Sequence, residues 1–76
     1  MSDKKWIDAR GSFCPGPLME LIAYMKLAQV GDELEVMSTD KGSADDIPEW
    51  IRKVGHEVLD TREEAGVWYI TVKKAK

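Results

Sequence analysis

The residue with the clearest chemical potential is Cys14, the single cysteine of this 76-residue chain. It lies in the run RGSFCPGP of residues 10–17, between a glycine and two prolines. A residue that precedes proline is pushed into extended backbone, which is the geometry of a helix N-cap. Proline, in turn, is preferred at the first position of a helix. Both rules predict that Cys14 caps a helix beginning at Pro15.

This position would make the sulfur of Cys14 reactive. The helix macrodipole places positive charge at the N-terminus, which stabilises a thiolate and lowers the pKa of a cysteine there. Pro17 has no N–H, so Gly16 is the predicted hydrogen-bond donor to the sulfur, and Arg10 is near enough in sequence to add a cation. Cysteine is also common as a small buried hydrophobe, and that alternative stays open. The surrounding prolines and glycines favour the exposed, reactive interpretation.

Other side chains offer little competing chemistry. His56 is the single histidine and begins a predicted strand, so we interpret it as a turn residue, although a nucleophilic pair with Cys14 is conceivable. One cysteine, one histidine and scattered acids give no metal-ligand cluster. Gly11 and Gly16 do not fit a phosphate-binding loop. We therefore expect no metal and no bound cofactor.

Composition and charge limit the partners. The net charge is −3, and residues 31–66 carry eleven acidic and four basic residues, so direct binding to nucleic acid is not expected. No apolar run approaches the roughly 20 residues that span a bilayer, and the polar start of the chain does not resemble a secretory signal. A single cysteine allows no internal disulfide, which favours a reducing cytoplasm. We expect one domain, residues 1–76, that is monomeric when free.

Hydrophobic periodicity predicts six elements in the order β-α-β-α-β-β. Strands are predicted over residues 5–9, 34–38, 56–63 and 67–73, and the first helix over residues 15–29. A turn is predicted at 40–43. The second helix should then begin at an Asp45 N-cap, with Pro48 in its first turn, and stop at Gly55.

Each predicted helix carries one apolar stripe. The stripes are Leu18, Leu21, Ile22, Met25 and Ala28 on the first helix, and Ile47, Trp50, Ile51 and Val54 on the second. Trp50 is most simply a core residue, and partial exposure would make it a docking anchor. The methionines Met19, Met25 and Met37 are interpreted as core filler.

One apolar stripe on each helix indicates that both helices cover the same face of the sheet. A right-handed crossover makes the first two strands parallel, whereas the last two form an antiparallel hairpin. The predicted fold is α+β, a two-layer α/β sandwich with a mixed four-stranded sheet and two helices on one face. The other face should be partly open, and Trp6, Val67 and Tyr69 are candidates to lie on it.

The site segment contains the pattern Gly11-x-x-Cys14-Pro15-x-Pro17, preceded by Asp8-x-Arg10. Further along are Gly31-Asp32 before a strand, Asp46-Ile47-Pro48 in the second helix and Gly55-His56-Glu57 before the third strand. Together these motifs resemble the signature of the TusA (SirA-like) family of sulfur carriers. The resemblance therefore extends over essentially the whole chain.

The resemblance implies the same sandwich, as in the C-terminal domain of bacterial translation initiation factor three, and a role in sulfur relay. In that family the cysteine accepts sulfane sulfur, as a persulfide, from a cysteine desulfurase or a rhodanese. It passes the sulfur to a protein acceptor for tRNA thiolation, cofactor sulfuration or dissimilatory sulfur oxidation. Carried over by position, Cys14 bears the sulfur, and the only group attached is the persulfide itself. The implied supporting residues are Asp8, Arg10, Gly11, Pro15, Gly16 and Pro17.

Gly16 departs from the family pattern, because many relatives carry an acid between the two prolines. Losing that charge should ease formation of the thiolate or persulfide. The resemblance implies a carrier that is also a weak transferase and acts only with protein partners. A second class, a thiol-based redox or regulatory module, is the alternative, although a single cysteine has no resolving partner.

Overall fold

The computed structural model describes residues 4–12 and 16–76, and its elements follow the predicted order. The strands are β1 (Lys5–Asp8), β2 (Glu33–Ser38), β3 (Glu57–Glu64) and β4 (Val67–Lys73), and the helices are α1 (Gly16–Leu27) and α2 (Lys41–Lys53). The sheet has the order β1-β2-β4-β3, with β1 parallel to β2 and the other two pairs antiparallel. The predicted α+β sandwich with a mixed four-stranded sheet is confirmed.

One apolar core fills the space between the sheet and the two helices. Side chains alternate along a strand, so every second residue of β2 and β4 points toward the helices. The buried apolar residues are Ile7 and Ala9 at β1, Leu34 and Val36 on β2, Ile70 and Val72 on β4, Leu21 and Met25 on α1, and Ala44, Ile47 and Ile51 on α2. Trp50 is partly buried against this cluster. Among the described residues, neither helix is long and apolar enough to cross a membrane.

The start of α2 differs from its prediction. The turn expected at 40–43 and the N-cap expected at Asp45 are both wrong, because α2 begins at Lys41 with Asp40 as its N-cap. The Asp40 carboxylate accepts hydrogen bonds from the Ser43 N–H at 3.2 Å and from the Ser43 hydroxyl at 2.9 Å. Pro48 consequently lies inside the helix, where it supplies no N–H to the preceding turn.

The end of α1 lies two residues before the predicted residue 29. The Gln29 N–H donates to the Asp32 carboxylate at 2.9 Å instead of continuing the helix. The Lys74 ammonium donates to the carbonyls of Met25 at 2.9 Å and Ala28 at 2.7 Å, which places a cation at the negative end of the helix dipole. The strand bounds differ from their predictions by at most one residue.

The sheet face away from the helices carries the residues expected there. Trp6 pairs with β2 on this face, and Tyr69 lies opposite Met37 in the β2–β4 register. Val67 shares the face because it is two residues from Tyr69 on the same strand. Met37 is therefore half-buried on the uncovered face, and its interpretation as core filler is wrong.

A buried carboxylate at the centre of this uncovered face was not predicted. Glu35 is only 3 % exposed. Its oxygens accept hydrogen bonds from Trp6 Nε1 at 3.0 Å and from the Thr71 hydroxyl at 2.8 Å, and Lys4 Nζ lies 3.0 Å away. Arg62 approaches to 4.0 Å. Burial alone would raise the pKa of Glu35, but the hydrogen bonds and the Lys4 charge outweigh it, so the pKa is lowered.

Candidate functional site

The predicted site centres on Cys14, which lies with Phe13 and Pro15 outside the described residues. The N-cap position and the exposure of Cys14 therefore stay predictions. The structure describes both flanks of this segment, namely the end of β1 with the turn after it, and the start of α1. These flanks contain the other supporting residues, which are Asp8, Arg10, Gly11, Gly16 and Pro17.

Asp8 and Arg10 form a two-point ion pair on the first flank. Arg10 Nε donates to Asp8 Oδ1 and Arg10 Nη2 to Asp8 Oδ2, both at 2.9 Å, and the Arg10 backbone N–H donates to Oδ1 at 3.2 Å. The side-chain hydrogen bond from Arg10, followed by the backbone one and its charge, lowers the pKa of Asp8 to about 2. The cation predicted to assist Cys14 is thus already bound to a carboxylate, and the pair is locally neutral.

Gly11 makes the turn that follows this pair. Its φ of +86° lies in the left-handed region, which glycine adopts without steric cost. The Gly11 N–H donates to the Thr39 hydroxyl at 2.9 Å, and the Ser12 N–H donates to the Ala9 carbonyl at 3.2 Å. The first flank is therefore fixed both to β1 and to the residue that follows β2.

The second flank is the start of α1, and it lies against the first. A Cβ placed on Gly16 would be 3.4 Å from the Ser12 Cβ, so Ser12 and Gly16, which flank the segment 13–15, lie close together. Pro17 is fully buried and anchors the helix start in the protein interior. The first turn of α1 contains no acidic side chain. The structure thus brings the predicted supporting residues Gly11, Gly16 and Pro17 to the two ends of one short segment.

α1 carries apolar side chains on its solvent side as well as on its core side. Met19, in the first turn, is 60 % exposed, and Leu27 is 82 % exposed. Tyr24 is also exposed, whereas Met25 is buried as predicted. The interpretation of Met19 as core filler is therefore wrong. The missed signal was the apolar character of nearly the whole helix, which a helix covering one sheet face does not require.

His56 lies between α2 and β3, where a turn residue was predicted. Its Nδ1 accepts a hydrogen bond from the Ala75 N–H at 3.1 Å. Burial, followed by the charges of Lys74 and Lys76, lowers the pKa of His56, so the ring is neutral near pH 7. Within residues 4–12 and 16–76, no three histidine, cysteine or acidic side chains gather into a potential metal site.

Comparison of the sequence with a family model and with known relatives points to one family. The family model described as sulfurtransferase TusA matches residues 5–74. A "putative sulfur carrier protein" of Archaeoglobus fulgidus is 54 % identical over 70 residues, which cover 92 % of this chain and 96 % of the relative. The sulfur carrier protein TusA of Pseudomonas putida is 37 % identical over 68 residues, covering 90 % and 85 %.

A solved structure is similar in fold. The crystal structure of a SirA-like protein from Desulfitobacterium hafniense matches with a TM-score of 0.81, covering 93 % of this chain and 97 % of that one. Its sequence identity to this chain is 20 %, so the likeness concerns the fold alone.

Proposed function

This chain belongs to the TusA family of sulfur carriers, and on that premise we propose that it carries sulfane sulfur as a persulfide on Cys14. The proposal is carried by the family match over residues 5–74, combined with a Cys-Pro-Gly-Pro run that leads into α1. Cys14 is the only thiol in the sequence and hence the only one that can hold the sulfur. We place the relay in the cytoplasm, with a carrier that is monomeric when free.

The transfer is a thiolate exchange that needs no external oxidant or reductant. The Cys14 thiolate attacks the outer sulfur of a persulfide on the donor protein, a cysteine desulfurase or a rhodanese. A new S–S bond forms at Cys14, the S–S bond of the donor breaks, and the donor cysteine leaves as a thiolate. The same exchange with a cysteine of an acceptor protein delivers the sulfur to tRNA thiolation, cofactor sulfuration or dissimilatory sulfur oxidation.

The described flanks favour an anion at the start of α1. The helix dipole is positive at this end, and the first turn has no acidic side chain to oppose it. Arg10 neutralises Asp8, so the nearest described acid on the first flank exerts little repulsion. Both features support a reactive sulfur at residue 14.

The exposed side of α1 supports transfer within a docked complex. A persulfide reacts with other thiols, so a protected handover between proteins limits its loss to side reactions. Met19 and Leu27 present apolar surface that a partner can bury, and Met19 lies in the first turn of α1, next in sequence to Cys14 and the two prolines. We assign this surface to the sulfur-donor enzyme.

Intact-mass spectrometry tests the proposal. Incubation with a cysteine desulfurase and cysteine, or with a rhodanese and thiosulfate, should add one sulfur atom to the protein, and a reductant should remove it. Cys14→Ser is the matched control, because serine is at least as good an N-cap as cysteine and should preserve the fold. This variant should gain no sulfur.

Two results would contradict the proposal. One is wild-type protein that stays unmodified with both donors while another carrier of the family is loaded in parallel. The other is a large loss of stability in Cys14→Ser, which would indicate a buried structural cysteine. Acceptor assays with one protein from each of the three routes would then assign the pathway.

A further inference from the structure

A shallow cleft of about 280 Å³ lies between α1, α2 and the segment that follows β4. Its floor is apolar and consists of Ile22 and Met25 from α1 and of Trp50 and Val54 from the end of α2. Ile22 and Met25 follow Gly16 by six and nine residues, which places the cleft about 9–14 Å along the axis of α1 from its start. The cleft is therefore separate from the start of α1.

The rim of this cleft is cationic in a chain whose net charge is −3. Lys26, Lys74 and Lys76 line it together with His56, and no acidic residue of the ranges 4–12 and 16–76 does. The described ion pairs include none of these three lysines. Lys74 is fixed by its two hydrogen bonds to carbonyls at the end of α1, and since an ammonium has three donors, one is left for a ligand.

His56 and Lys76 lie on the same rim. His56 Nδ1 accepts the Ala75 N–H, so in the neutral ring the proton is on Nε2, which can donate to a ligand. Lys76 lies over Gly55, where a Cβ would come within 2.5 Å of Lys76 Cε, and Gly55 has a φ of +92°. Lys76 therefore lies beside this glycine turn, at the edge of the cleft.

We propose that this cleft binds an acidic segment of a partner protein, with one apolar side chain on Trp50 and Ile22 and its carboxylates facing Lys26 and Lys76. Charge complementarity selects an acidic occupant. The open shape favours a peptide, because small-molecule sites enclose most of their ligand, whereas this cleft is open to solvent along one side. The inference rests on the proposed function for its purpose: a partner tethered here leaves the sulfur end free for exchange.

NMR titration of the ¹⁵N-labelled full chain tests the inference. The probe is the tetrapeptide Glu-Leu-Phe-Glu, acetylated and amidated at its ends. It should shift the indole N–H of Trp50 and the backbone amides of Val54, His56 and Ala75. Binding should weaken as salt is added, because exposed charges are screened. The charge-reversed peptide Lys-Leu-Phe-Lys should leave these signals unchanged.

Two variants distinguish binding in the cleft from a general effect of net charge on affinity. The double variant Lys26→Glu, Lys76→Glu should bind the acidic peptide about tenfold more weakly, because two attractions become repulsions. Lys41→Glu reverses one charge at the opposite end of α2, half the charge change of the double variant, and it should bind within about twofold of wild type because it lies outside the cleft. The three altered lysines are exposed, so the fold should persist, and the same spectra report it.

Four outcomes would overturn the inference: no shifts at the cleft, equal binding of the basic peptide, an equal loss of affinity in Lys41→Glu, or phenylacetate binding as tightly as the peptide. The last would make the cleft a small-molecule site. Sulfur on Cys14 takes no part in the titration. A failed loading experiment and a failed titration are therefore distinguishable.

Discussion

The two helices cover the same face of the sheet, but they expose different kinds of side chain to water. α2 buries Ala44, Ile47 and Ile51 and turns its acids and bases outward. α1 buries its own inward residues but also leaves Met19 and Leu27 in water. A helix that only covers a core gains nothing from apolar residues on its outer side, since they lower solubility without adding burial.

This difference indicates that α2 only covers the core, whereas α1 also presents apolar surface for binding. The helix with the apolar outer side is the one that follows Cys14, and its exposed methionine is in the first turn. α2, with its charged outer side, is sufficiently explained by the core that it covers. Substitutions on the two helices and on the open sheet face test this division.

The largest effect is expected from two identical substitutions on α1. Met25→Ala should cost about 2–5 kcal/mol of unfolding free energy, because it removes a buried side chain and leaves a cavity. Met19→Ala should stay within about 0.5 kcal/mol, because the side chain is largely in water. Urea unfolding followed by tryptophan fluorescence measures both. Similar losses of unfolding free energy in the two variants would mean that Met19 is packed against the rest of the protein and does not face solvent.

The next effect is expected on the sheet face that neither helix covers. The buried side chain at the centre of this face is the charged Glu35 and not an apolar residue. Glu35→Gln should cost about 1–3 kcal/mol at neutral pH, because the buried donors lose an ionised acceptor. The pKa of Glu35 is lowered in the fold, so this stabilisation is fully present above the ordinary carboxyl pKa of about 4.3 and is lost as pH falls through the lowered value.

The stability difference between wild type and Glu35→Gln should therefore shrink in acid. Urea midpoints measured from neutral pH to about pH 3 provide the test, over the range in which carboxylates titrate. A difference that stays constant across this range would show that the hydrogen bonds matter and the charge does not.

A smaller effect is expected on sulfur transfer. Met19→Ala should slow loading from the donor enzyme about tenfold, which corresponds to about 1.4 kcal/mol of lost contact energy. Alkylation of Cys14 by iodoacetamide should keep its wild-type rate, because that reagent needs no docked protein. Glu49→Ala, on the outer side of α2, is the control and should load normally. Slower alkylation in Met19→Ala would instead place its effect on the sulfur itself.

The smallest effect is expected at the start of α2. Asp40→Ala should cost about 1 kcal/mol, because the Ser43 N–H and hydroxyl lose their acceptor. Asp45→Ala, at the cap position that the sequence suggested, should be nearly neutral because Asp45 is exposed within the helix. Thermal melts of the pair distinguish the two caps, and a larger loss in Asp45→Ala would contradict the observed helix start.

The fold was predictable because the spacing of apolar residues within each element is typical of a helix or of a strand. Leu21 with Met25 and Ile47 with Ile51 repeat at helical spacing, and Leu34 with Val36 alternate as in a strand. The start of α2 was not predictable on the same grounds. Gly42 and Ser43 are typical of turns, and only the contact of Ser43 with Asp40 shows that they belong to the helix.

The candidate site was predictable where neighbouring residues define it and not where distant ones do. The Asp8–Arg10 pair and the Gly11 turn follow from short spacing. The burial of Glu35 depends on strand register, which brings Trp6 and Thr71 to one carboxylate from positions 29 and 36 residues away. Periodicity along a single strand shows only that Glu35 faces away from the helices.

The network around Glu35 also bears on how copies of this chain meet in concentrated solution. Two sheets that stack face to face enclose a dry layer about 10 Å thick. On the uncovered face such a layer would take Lys4 and Arg62 out of water, and both already have Glu35 as a counter-charge. Removing the Lys4 and Arg62 charges from water would cost more free energy than the new contacts would provide. The residues that complete the polar network therefore act as a barrier to colloidal association through this face.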